Sequence, residues 1–268
     1  MTSFQYALQP KFVSSPGNAT DCALDFAHAR VYDGSMTEHN EAILTSAPAA
    51  LAAQAKAYLN KVYMWMSVSL LVTAGMAIYA ASSRDMIMWV AEHPIMLAIG
   101  TIALVFIMSL CRNILTSGAL AVLFMVFSAV EGILFGPLLI AYTSQSLGLT
   151  FACTAGMFGA MALYGAFTKR NLSTMGRTLF MLLIGLIIAG IANIFWGNST
   201  MDLIVSAVGV VVFALFTAYD TQNILREGLY CEDEDQRRKG AILGALNLYL
   251  DFINLFLYLL RFLGRFKD

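Results

Sequence analysis

Seven long apolar runs separated by short polar stretches set the plan of this chain from residue 62 onward. They fall at about Val62–Ala81, Ile95–Cys111, Ala119–Leu139, Thr150–Phe167, Leu179–Trp196, Leu203–Leu225 and Ala241–Leu260. Each holds about 17–23 residues, the length a helix needs to cross a hydrocarbon core of about 30 Å. An all-α, polytopic membrane protein with seven transmembrane helices is therefore expected. Ahead of the runs, residues 1–57 scatter Asp21, Asp25, Asp33, Glu38 and Glu41 among Ser, Asn, Gly and Ala, with no basic start followed by an apolar signal block. That stretch reads as a mobile, uncleaved N-terminal tail. Residues 58–264 read as the membrane domain and 265–268 as a short C-terminal tail. The longest connection, Arg226–Gly240, carries the acids 232–235 and then Arg237, Arg238 and Lys239, and is expected to be a solvated hairpin between the last two spans. An EF-hand calcium loop would need alternating ligands and a central glycine, which this stretch lacks.

Composition strengthens the membrane reading. Of 268 residues 59% are hydrophobic and 12% charged, with mean hydropathy +0.71, whereas a soluble domain carries about 25% charged residues. A net charge of -1 and the absence of a Lys/Arg-rich run set nucleic acid aside as a partner. Cys22, Cys111, Cys153 and Cys231 stand far apart, so neither disulfides nor a zinc site is expected. His28, His39 and His93 lie outside the apolar runs, which leaves carboxylates to do any proton work. The fifteen methionines read as flexible filler. Small residues four apart, Ala155/Gly159, Gly156/Ala160 and Gly185/Ala189, are expected to let helix backbones approach closely.

Orientation follows from the placement of Lys and Arg. A cytoplasmic N-terminus puts twelve cations inside and four outside. Were the last apolar segment re-entrant, the tail's Arg265 and Lys267 would join Arg261 inside. Ala241–Leu260 has no proline and only Gly244 as an internal glycine, so seven full spans are retained.

Within this apolar background the acids stand out. Asp251 lies in the middle of Leu248–Gly264, and an ionisable group at bilayer depth is costly enough to suggest function. Asn247, Asp251, Asn254 and Tyr258 share one helix face; the plainer alternative is a polar seam that glues helices together. Asp220 sits near the cytoplasmic end of the sixth span, with Thr217 and Asn223 at i−3 and i+3. Counted from Arg226 it is roughly 9 Å deep, and Asp251 counted from Lys239 is roughly 18 Å deep. Tilt could bring the two together, and two carboxylates in one apolar site are expected to titrate as a unit. Two separately capped polar residues is the alternative. Glu131, beside Gly132, Gly136 and Pro137 in the third span, reads either as an outer vestibule or as an acid snorkelling to the interface. Arg112, at the end of the second span, reads either as a counter-ion to the aspartates or as a positive-inside anchor.

Leu248–Gly264, Asp220 in its Tyr-Asp context, Glu131-Gly132 with Gly136-Pro137, and Tyr164-Gly165 followed by Thr168-Lys169-Arg170 occur in order on seven spans. Together they resemble the transmembrane Bax-inhibitor-motif family, and within it the bacterial inner-membrane branch. The resemblance covers about residues 58–264. It implies a bundle whose last helix is central and wrapped by the other six, and a calcium leak regulated by a pH-sensitive aspartate pair that matches Asp220 and Asp251. An arginine latch is implied at or beside Arg112. The leading expectation is thus a pH-sensitive Ca²⁺ leak, with Glu131, Thr217, Asn223, Asn247 and Asn254 along the ion path and the aspartates as transient Ca²⁺ ligands. No resident cofactor is expected. The alternative is a non-transporting regulator of a membrane protease or another membrane protein, acting through the tail. An intramembrane aspartyl protease would need Gly-x-Gly-Asp and Pro-Ala-Leu signatures, where this chain has Leu248-Tyr-Leu-Asp251, so no enzyme activity is expected.

Overall fold

The computed structural model describes residues 38–196, 199–230 and 233–264, which form eight helices. They are α1 (Glu38–Ser82), α2 (Arg84–Glu92), α3 (Pro94–Leu110), α4 (Ser117–Ala141), α5 (Ser144–Phe167), α6 (Ser173–Trp196), α7 (Ser199–Tyr230) and α8 (Glu234–Leu263). Contacts divide the chain into a unit that ends at Ala53 and another from Gln54 to Asp268. Among the described residues six helices are long and apolar enough to cross a membrane, and α2 with α3 makes a seventh if that pair, bent by 82°, counts as one span. The expected all-α polytopic architecture is thus the one observed.

Three boundaries differ from expectation, each for a local reason. Among the described residues α1 already covers 38–57, part of the stretch expected as a mobile tail; residues 1–37 and 265–268 lie outside the described residues. The second expected span, Ile95–Cys111, corresponds to α3, but a further helix, α2, precedes it and breaks from it at His93, because Pro94 at the first position of α3 has no N–H to continue α2 and disfavours helical backbone in the residue before it. Most of the expected hairpin is helix. Asp233 caps α8 by accepting from Gln236 N at 3.2 Å. Asp235–Lys239 at 2.8 Å and Glu234–Arg238 at 3.2 Å then bridge successive turns. Acids in the first turn followed by bases four residues on suit both the helix dipole and i,i+4 pairing, so the acidic cluster starts a helix.

Helix α8 forms the centre. Fifteen of its thirty residues are buried, against six in α5 and three in α3. Tyr249, Leu248, Leu255 and Ala245 are fully enclosed. Its main neighbours are α7, α5 and α4, with Tyr58, Val62 and Thr73 of α1 completing the wall; α6 packs on α7, and α3 on α4. Phe124 and Phe127 of α4 meet Tyr249 edge-on at 5.9 and 5.6 Å, and Phe151 and Phe158 of α5 meet Phe252 at 5.6 and 5.5 Å.

The close backbone approaches are not where the small-residue spacing put them. Gly156, Gly159 and Gly185 have no foreign atom within 4 Å of an added Cβ. Instead Gly132 and Gly136 of α4 press on Thr73, Met76 and Ala80 of α1, and Gly165 of α5 presses on the Ala218 backbone of α7. The spacing of small residues says that a helix has a flat strip, and not whether protein or lipid covers it.

Candidate functional site

Helices α7 and α8 lie antiparallel in a register set by glycines. A Cβ at Gly240 would meet the Glu227 carboxylate at 2.9 Å, one at Gly244 would meet Ile224 at 3.1 Å, and one at Gly209 would strike the Tyr258 ring at 2.6 Å. Tyr258 also stacks on Phe213 with ring centres 5.8 Å apart. Between these contacts Asp220 falls opposite Asp251, with the two carboxyl groups close enough for a hydrogen bond. Such a bond needs a proton on one of them, since an ionised carboxylate only accepts. Asp251 is 4% exposed, and its Oδ2 is buried with no hydrogen-bond partner. Asp220 is half-buried. The pair expected from the sequence is therefore assembled.

The other candidates fall around it at varying distance. Thr217 is buried and donates to Phe213 O at 2.9 Å, while Thr221 donates to Thr217 O at 2.7 Å, so both hydroxyl hydrogens are used within α7. Asn254 donates to Leu250 O at 2.8 Å, leaving its side-chain oxygen as an acceptor. Asn223 is half-buried, and Asn247, one turn before Asp251, is exposed. The polar stripe thus runs from the enclosed carboxyls to the surface of α8.

Arg112 is not brought to the aspartates. It pairs with Glu227 at 3.7 Å, both side chains well exposed, and Glu227 lies seven residues past Asp220, roughly 10 Å along the helix. Glu131 is half-buried on α4 and stands near enough to Tyr249 to act on it electrostatically. It is separate from the Asp220/Asp251 pair in sequence and in partners.

Two constellations went unread in the sequence. Thr73 Oγ1 lies 2.7 Å from Tyr249 Oη, 2.9 Å from Ser128 O and 3.0 Å from Ser69 O. Thr73 has one hydrogen and carbonyls only accept, so Tyr249 donates to Thr73, and the threonine hydrogen serves the carbonyls. This joins α1, α4 and α8 two residues from Asp251; hydroxyls four apart inside an apolar run, Ser69 and Thr73, were the available signal. At the other end of α7, Gln222 accepts from Leu172 N at 2.8 Å and donates to Arg170 O at 2.9 Å. Arg226 donates to Asn171 Oδ1 at 2.8 Å and Ser173 Oγ at 3.0 Å. These side chains pin the α5–α6 turn to α7 next to Asp220. Among the described residues no three His, Cys, Asp or Glu side chains converge on a metal-sized site.

Comparison with known proteins shows what the chain is similar to. The family model for inhibitor of apoptosis-promoting Bax1 matches residues 55–268. The chain is 44% identical over 212 residues to the inner membrane protein YbhL of Escherichia coli strain K12, a match that covers 77% of this chain and 91% of that protein. A protein of Deinococcus radiodurans is 38% identical over 215 residues, covering 80% and 93%, and one of Borreliella burgdorferi is 39% identical over 216, covering 79% and 93%.

Proposed function

The chain belongs to the Bax inhibitor family, and on that premise we propose that this multi-pass membrane protein is a pH-sensitive cation leak with Asp220 and Asp251 as its sensor. The observation that carries the reading is the facing carboxyl pair, one member of which is enclosed and has an unpartnered oxygen. Two acids this close cannot both carry full charge cheaply, so they hold one proton between them. With the proton in place, the hydrogen bond draws α7 and α8 together across the path. Its loss leaves two like charges that separate and offer hard oxygen ligands to a cation such as Ca²⁺, alongside neutral oxygens of Thr217, Asn223, Asn254 and Asn247. Flux rises with pH on this scheme. Arg112 acts at a distance, by holding Glu227 on the same helix as Asp220. No bond is made or broken in a substrate, so the activity is transport and not catalysis.

The likeness to the inner membrane protein YbhL supports an inner-membrane setting, and the Lys/Arg asymmetry supports a cytoplasmic N-terminus. Calcium flux into liposomes across a pH series tests the sensor. Asp251→Asn keeps shape and hydrogen bonding while removing one titrating group, so flux should lose most of its dependence across roughly pH 6–8, and Asp220→Asn should act alike because a shared proton belongs to neither residue alone. Glu131→Gln should change conductance and leave the midpoint in place. Retention of the parental midpoint by both Asn variants would overturn the sensor; absence of flux at every pH would favour a non-transporting regulator of another membrane protein.

A further inference from the structure

A cleft between α1, α4, α5 and α8 opens from the side of the bundle and is lined on α8 by Phe252 and Ile253, the two residues that follow Asp251. Its volume is about 490 Å³, within the range of about 300–1,000 Å³ typical of ligand sites. Leu71 and Ile78 at its edge are 72% and 63% exposed, so it opens on the surface that faces lipid. Only Ser67 and Thr73 among its lining residues carry a polar side chain, and the Thr73 hydroxyl is already bonded to Tyr249 and Ser128. Water would find too few partners in such a space. Along α1 the lining runs from Ser67 to Ile78, a rise of about 16 Å at 1.5 Å per residue, which is close to half of a hydrocarbon core of about 30 Å. The lining residues of α4 and α5 come from the ends that meet at the α4–α5 turn, Phe135–Leu139 and Leu147–Phe151, level with the end of α1.

We infer that this cleft is a binding site for one acyl chain of a phospholipid, taken from the leaflet that contains the α1–α2 and α4–α5 turns. Three features select that occupant: access from the bilayer, an apolar lining and a length of one leaflet. Hydrocarbon needs no polar partner and gains dispersion contacts from Phe151 and Phe252 that it would lack among fluid tails. The bound chain then lies against the α8 segment that follows Asp251, which couples membrane lipid to the central helix.

Full-length protein in detergent would be titrated with phosphatidylcholine that carries a diazirine near the end of one acyl chain, illuminated, and mapped by peptide mass. Labelling should saturate at one lipid per chain and concentrate on residues 67–78 and 147–151, above the level on the lipid-facing stretch of α6 from Phe180 to Ile191. Ala74 lines the cleft from its exposed side. Ala74→Phe should cut cleft labelling by about tenfold, the effect of overfilling a site by 1–2 kcal/mol. Leu147→Trp fills the space from the opposite wall and serves if the first variant fails to fold, while Ile187→Phe on α6 should leave labelling unchanged. Equal labelling of the cleft and of α6, or labelling undiminished in a folded filled variant, would overturn the site. Disulfide-linked dimers formed by Leu71→Cys in a cysteine-free background, in place of lipid labelling, would assign the cleft to a second copy of the chain. The readout is bound lipid, so loss of the channel reading would leave this site standing, and loss of this site would leave the channel reading intact.

Discussion

Gly165→Ala tests whether α5 holds α7 where the aspartate pair needs it. A Cβ at Gly165 would collide with the Ala218 carbonyl oxygen and lie 2.9 Å from Ala218 C and Cα, where ordinary contact begins at 3.4 Å. The atoms in the way are backbone, so no rotamer change relieves the clash, and the two helices must part by roughly 0.5–1 Å. Overpacking of this kind costs about 1–3 kcal/mol, and the better helix propensity of Ala returns at most about 1 kcal/mol. A net loss of about 1–2 kcal/mol in a domain of this size lowers the melting temperature by about 2–8 °C. Gly159→Ala is the matched control, since it lies on the same helix with nothing within 4 Å of its added methyl, and it should melt with the parent or slightly above. Because Ala218 precedes Asp220 by two residues, Gly165→Ala should also change flux on the channel reading, whereas Gly159→Ala should not. Thermal unfolding followed by helix circular dichroism in the same detergent provides the comparison. If Gly165→Ala melts at or above the parent, α5 does not press on α7 and the packing account of the pair fails.

The other predictions concern contacts away from that interface. Arg112→Gln and Glu227→Gln should show a coupling of about 1 kcal/mol or less in a double-mutant cycle, because both side chains are well exposed, and it should weaken with salt; a coupling above about 3 kcal/mol would mark a desolvated latch. Tyr249→Phe and Thr73→Val should each lower stability by about 1–2 kcal/mol, and the double variant should lose less than the sum, since they share one hydrogen bond; strict additivity would show that the bond is not formed. Asp233→Ala should remove about 1 kcal/mol by uncapping α8, and Asp233→Asn should retain most of it; equal losses would point to charge and not to the cap.

The spans were legible because burial in lipid demands about 20 apolar residues in a row whatever packs beside them. Helix ends were not, since the segments Gln222–Tyr230 and Glu234–Lys239 continue helically on polar residues once clear of the apolar run, and hydropathy falls there without the backbone changing. Asp220, Asp251 and Glu131 were legible by cost alone. Partner choice was less so. Arg112 and Glu227 meet through a tertiary arrangement that no local spacing encodes, and Thr73 gave no charge to notice. The small-residue pairs of α5 failed for a related reason: Gly156 and Gly159 form a flat strip that faces outward, while the glycine that matters, Gly165, stands alone in its turn.

Depth counted from flanking charges had left Asp220 and Asp251 apart by half of the larger figure, and the reason lies in what those charges do. Arg226 is engaged with the α5–α6 turn at Asn171 and Ser173, and Lys239 is buried against Asp235, so neither marks the level of the membrane surface. The two helices keep their own measure: Glu227 beside Gly240, Ile224 beside Gly244 and Phe213 beside Tyr258 step in opposite directions along α7 and α8, and Asp220 with Asp251 falls between the last two of these pairs. Interlocking side chains and glycines fix that register over several turns. Residues added to the connection between α7 and α8 should therefore leave the carboxyl pair assembled. A bulky side chain at Gly244, by contrast, must push against Ile224 and Val62 together and shift α8 along or away from α7. The carboxyl pair is in this sense a product of helix packing, and the glycines of α8 belong to the site although none of them carries a functional group.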